Sequence, residues 1–68
     1  MSLKKRSFSL SGHRTSVALE AEFWAVIDQS AQSDGIALAA LVGKIDAGRG
    51  EHPLASALRL FALAQKGG

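Results

Sequence analysis

Hydrophobic and polar positions alternate along residues 7–19, and the spacing then changes to that of a helix. Phe8 and Leu10 alternate with Ser7, Ser9 and Ser11, and Thr15, Val17 and Leu19 alternate with Arg14, Ser16 and Ala18. A period of two is the mark of extended chain with one buried face. The apolar set is even-numbered before Gly12-His13 and odd-numbered after it, so one flat strand cannot hold both sets on the same face. Two structures resolve the switch. One is a local hairpin turning at Ser11-Gly12, which sets Phe8 and Leu10 beside Thr15 and Val17. The other is a break at Gly12 that leaves a separate strand over residues 14–19.

Beyond Leu19, Phe23, Trp24, Ile27 and Ala31 share one stripe while Glu22, Asp28, Gln32 and Ser33 lie away from it, which predicts a helix over residues 20–33. Glu20 and Glu22 suit its positive N-terminal end, and Gly35 after Asp34 suits its stop. Leu38, Leu41, Val42 and Ile45 keep the spacing i, i+3, i+4, i+7 and predict a second helix over residues 37–47. After the polar segment Gly48 to His52, Pro53 is placed to open a third helix over residues 53–65, because its missing N–H is one the first turn leaves unpaired. That helix carries Leu54, Leu58 and Phe61 on one stripe and Leu60 and Leu63 on another, so it must be covered from more than one side. The class expected is mainly α with a short N-terminal ribbon, in one domain.

A chain of 68 residues has little core, and small domains usually add a disulfide, a metal or a partner subunit. There is no cysteine, and His13 and His52 stand without a local cluster of acidic or histidine neighbours, so no metal or other cofactor is expected and a homodimer is. No apolar run approaches the roughly 20 residues of a membrane span. Nor does an apolar stretch follow Lys4, Lys5 and Arg6, as a signal peptide requires. The expected location is therefore the cytoplasm. Residues 1–6 read as a flexible basic arm, with Met1, Ser2 and Leu3 and the terminal Gly67 and Gly68 as frayed ends.

The net charge of +2 is unevenly spread. Residues 1–19 hold Lys4, Lys5, Arg6 and Arg14 with no acid, whereas residues 20–68 hold four cations against six acids. Two chains side by side would double this N-terminal excess, enough to attract a polyanion. Catalytic readings fare worse. Ser7, Ser9, Ser11 and Ser16 lack a His-Asp arrangement, and Gly48-Arg49-Gly50 lacks the length and the following Lys and Ser or Thr of a phosphate loop. Adjacent Phe23 and Trp24 read as core. The chain is not expected to be an enzyme.

The order of strand, acid-started helix, glycine turn and aliphatic helix resembles the ribbon-helix-helix regulators of bacteria and phages. Thr15-Ser16-Val17-Ala18-Leu19-Glu20-Ala21-Glu22 has the form of that family's strand and helix start, and Gly35-Ile36-Ala37 followed by Leu41-Val42 that of its second helix. His13-Arg14-Thr15-Ser16-Val17, Phe23-Trp24 and residues 54–61 are similar to a bacterial subgroup of the family. The resemblance implies a homodimer whose strands pair across two chains. It also implies a transcriptional regulator, commonly a repressor, that sets a two-stranded ribbon in the major groove of double-stranded DNA. Carried onto this chain, the base-reading residues are Arg14, Ser16 and Ala18. Phosphate would be held by backbone N–H groups of Ala37, Leu38 and Ala39, with Lys4, Lys5, Arg6 and His13 adding contacts. Ala18 stands where many relatives carry a polar reader, and Ala37 where they carry a capping Ser or Thr. These departures favour a second reading, an adaptor that uses the same fold to bind another protein through its apolar third helix.

Overall fold

A computed structural model describes residues 2–67; Met1 and Gly68, named above as fraying ends, lie outside them. Strand β1 (Leu3–Leu10) and strand β2 (His13–Glu20) form an antiparallel hairpin, followed by helices α1 (Ala21–Asp34), α2 (Leu38–Ala47) and α3 (Leu54–Gly67). The hairpin turns through two residues, Ser11 and Gly12, both at positive φ (52° and 79°), the backbone pair that matches the right-handed twist of the flanking strands. Its register sets Ser7 against Ser16, Phe8 against Thr15 and Leu10 against His13. Of the two ways to resolve the parity switch, the chain takes the hairpin: the even apolar set of β1 and the odd set of β2 share one face.

Within the chain β1 pairs with one edge of β2, because residues 3–10 are long enough to satisfy it internally. One expectation is corrected here. Residues 3–6 are not a flexible arm; they form the first half of β1.

The buried face of the hairpin contributes Phe8, Leu10, Val17 and Leu19 to the core. Trp24, Ile27 and Ala31 of α1, Leu41 and Val42 of α2, and Leu58 and Ala62 of α3 complete it. Helix α1 ends at Gly35 (φ 68°), where Gly35 N–H donates to the Gln32 carbonyl at 3.1 Å and Ile36 N–H to the Ala31 carbonyl at 3.0 Å. This pair of bonds satisfies carbonyls that a helix end otherwise leaves open. The loop after α2 is fixed by Arg49, which donates to Asp46 Oδ1 and to the His52 carbonyl, each at 2.7 Å. Those contacts account for Gly48-Arg49-Gly50 as structural. Helix α3 buries Leu58 and Ala62 within its own chain, so much of the cover expected from a second subunit comes from α1 and α2. Leu60 and Leu63 remain 53% and 55% exposed.

Trp24 joins the hairpin to α1. Its ring is buried 6.0 Å from the Phe8 ring, its Nε1 donates to the Lys4 carbonyl at 2.7 Å, and the Arg6 guanidinium lies 4.7 Å above it. Arg6 continues to Asp28 of α1, donating to Oδ1 at 2.9 Å and Oδ2 at 3.2 Å. At the same open end of the hairpin, Arg59 of α3 donates to Glu20 Oε1 at 3.1 Å and sits 6.0 Å from the Phe23 ring centroid.

Substituting Trp24→Phe removes ring volume and the bond to Lys4, and should lower unfolding free energy in urea by about 2 kcal/mol. Asp28→Asn should cost less than about 1 kcal/mol, since both members of its ion pair are more than one-third exposed. The Glu20 carboxyl is held below its ordinary value of 4.5, first by its backbone hydrogen bond and then by Arg59. A carboxylate lowered on folding stabilises the fold above its unfolded pKa, and that contribution disappears as pH falls through the folded pKa. The denaturation midpoint should therefore fall as pH drops below 4.5, and Glu20→Gln should flatten that part of the profile.

Candidate nucleic-acid interface

Alternation along both strands leaves the hairpin with a second face that points away from the helices. Lys5, Ser7 and Ser9 of β1 lie on it beside Arg14, Ser16 and Ala18 of β2, paired as Lys5 with Ala18, Ser7 with Ser16 and Ser9 with Arg14. All six are exposed except Ala18, which is half-buried. The Ser7 and Ser16 hydroxyls are 3.0 Å apart. The surface is thus a patch of small hydroxyl side chains with a cation near each end. Ser9, the partner of Arg14, is four residue steps along the strand from Lys5, a rise of about 13 Å. The one acid at its margin, Glu20, is engaged by Arg59.

The expected base-reading residues Arg14, Ser16 and Ala18 are thus brought together on one solvent-facing surface. The expected phosphate contacts are dispersed. Lys5 joins the outer face, and exposed His13 sits beside the turn. Lys4 has the parity of the helix-facing side, with its carbonyl held by Trp24 and its side chain exposed. Arg6 departs from expectation: its guanidinium is bound by Asp28 and stacked over Trp24, because β1 directs it towards α1. Ser7 and Ser9 were not among the expected readers. Their signal was present in the sequence, since both alternate with Phe8 and Leu10 and must face away from the core whenever those two face in.

At the start of α2, Ala37 has extended backbone (φ −66°, ψ 149°) and its carbonyl accepts from the Ala40 and Leu41 N–H groups at 3.0 and 3.2 Å. No side chain caps this end. The earliest N–H groups of a helix have no intrahelical acceptor, so those of Leu38 and Ala39 are left with a partial positive field. Among the described residues no three His, Asp or Glu side chains cluster as a metal site. Nor is any helix among the described residues long and apolar enough to cross a membrane.

A family model for the ribbon-helix-helix domain matches residues 3–65, taking in the hairpin and nearly all of the three helices. The chain belongs to the ribbon-helix-helix family. No curated protein and no solved structure shows a significant match. Within this ribbon-helix-helix domain the outer face of the hairpin draws side chains from eight-residue strands on both sides of the Ser11-Gly12 turn.

The bare start of α2 gives a direct stability prediction. Ala37→Ser supplies a hydroxyl acceptor for the open N–H groups and should raise unfolding free energy by about 1 kcal/mol, measured by urea denaturation at neutral pH.

Proposed function

We infer that this chain is a sequence-specific DNA-binding regulator of transcription that acts as a homodimer and sets its β-ribbon in the major groove. The observation that carries the reading is the outer hairpin face, where Arg14 and Lys5 flank a hydroxyl patch with no free acid. Family membership supports it, since ribbon-helix-helix domains are in general DNA-binding regulatory modules rather than enzymes. In this reading Arg14 donates two hydrogen bonds to guanine, Ser16 pairs with a base edge and Ala18 packs on a thymine methyl. Lys4, Lys5 and His13, with the open N–H groups of Ala37, Leu38 and Ala39, hold phosphates and fix the register. A bacterial repressor working in the cytoplasm is the fullest form of the proposal. Dimerisation draws support from Leu60 and Leu63, exposed together on α3.

The same two leucines favour a second reading, an adaptor that docks another protein on α3. The two differ in which face matters. In an anisotropy titration with random duplex DNA, affinity should fall steeply as salt rises, because bound phosphates release counterions. Arg14→Ala should cost about tenfold or more on a selected site, concentrated at one or two base pairs. Affinity for every duplex unchanged by Arg14→Ala would overturn the regulator reading. Leu60→Ser with Leu63→Ser should weaken dimerisation in light scattering and lower duplex affinity through loss of the dimer, leaving base preference unchanged.

A further inference from the structure

A lone serine hydroxyl discriminates poorly between bases, because it carries both a donor and acceptor lone pairs on a freely turning bond. Ser16, a base reader in the proposed function, is not alone. Its hydroxyl lies 3.0 Å from that of Ser7, its register partner on β1, and among the described residues this is the one side-chain hydrogen bond between the two strands. The approach is built into the backbone. Ser7 stands between Arg6, bound by Asp28 at 2.9 and 3.2 Å, and the buried Phe8. Ser16 stands between half-buried Thr15 and buried Val17. Neither residue can slip along its strand without unseating a core neighbour, yet both hydroxyls are exposed on the outer face.

Resting on the DNA-binding reading, we propose that Ser7 is a positioning residue that orients the hydroxyl of Ser16 and so sets which base Ser16 selects. A hydroxyl engaged on one side presents a definite remainder on the other. If Ser16 accepts from Ser7, its own proton points outward and suits acceptors such as guanine O6 or thymine O4. If it donates to Ser7, its lone pairs point outward and suit the amino groups of adenine or cytosine. Either arrangement rejects the atoms that the other serves, a choice that a freely turning hydroxyl does not make. Ser7 needs no base contact of its own for this. The bond lies within the chain, on the β1 side of β2, so it holds equally in a ribbon that β2 shares with a second copy.

The test is to sequence the duplexes selected from a random pool by the full-length parent protein, Ser7→Ala, Ser7→Thr, Ser16→Ala and the variant combining both alanines. Random-duplex affinity and urea midpoint are measured for each. Ser7→Ala should relax preference at a single position by about fivefold, the size of one lost hydrogen bond, and Ser7→Thr, which keeps the hydroxyl, should restore it. Ser16→Ala should relax the same position, and adding Ser7→Ala should then change nothing further, since the two act through one contact. Random-duplex affinity and urea midpoint should stay those of the parent throughout, as neither side chain enters the core. Unchanged preference in Ser7→Ala would overturn the proposal. So would a loss at a separate position that adds to that of Ser16→Ala, which makes Ser7 a direct reader, or a loss that only tracks a lowered urea midpoint. If the parent binds no duplex even at low salt, the DNA-binding reading itself fails and takes this assignment with it.

Discussion

A strand that buries one face and exposes the other tolerates no slip, because a shift of one residue exchanges the two faces. Residues 3–20 depend on that constraint twice, once in each strand, and the two solutions are tied together by the left-handed pair Ser11-Gly12. With the turn there, Phe8 and Leu10 fall on the same side as Val17 and Leu19. The same geometry sends Ser7, Ser9, Arg14 and Ser16 to the opposite side. A turn one residue longer would bury serines and expose Phe8. The candidate DNA surface and the core are thus two consequences of one register.

Helices fix where that surface points. Trp24 is buried between strand and helix, yet its indole N–H and its ring face are both used, the first by the Lys4 carbonyl and the second by Arg6. Arg59 repeats the arrangement from α3 through Glu20 and Phe23. Each arginine lays its stem and guanidinium along apolar surface while reaching a carboxylate, so the charge contributes position more than energy. Helix α3 closes the core with Leu58 and Ala62 and leaves Leu60 and Leu63 outside. A chain this small obtains a well-covered interior from an internal hairpin and a third helix, with two leucines of that helix left exposed.

Much of this was legible in the residues. The period of two placed Val17 and Leu19 inside and Arg14 and Ser16 outside, and the helical stripes located Trp24, Ile27, Leu41 and Val42 in the core. Gly35 marked the end of α1, and the parity switch at Gly12 announced a hairpin as one of two solutions. What stayed hidden has physical reasons. Leu3-Lys4-Lys5-Arg6 carries no apolar alternation, so nothing local reveals that it is strand; its order comes from pairing with residues 17–20 and from Trp24. Arg6 reads as a free cation because its partner Asp28 is 22 residues away. Leu54, Leu58 and Phe61 could be covered by α1 and α2 or by a partner, and only the packing of the chain distinguishes the two. Ser7 and Ser9 lie outside the run that resembles the family's strand, although their alternation is as regular as that of β2.

In the proposed function the outer hairpin face, with residues from both strands, meets DNA. Amide chemical-shift mapping of the labelled protein titrated with a short duplex tests it most directly, since every backbone N–H of the ribbon and helices reports separately. The largest changes should fall at Lys5, Ser7, Ser9, Arg14 and Ser16, a smaller group at Leu38 and Ala39, and little change along α3. Changes centred on Leu60 and Leu63, with the hairpin silent, would contradict it.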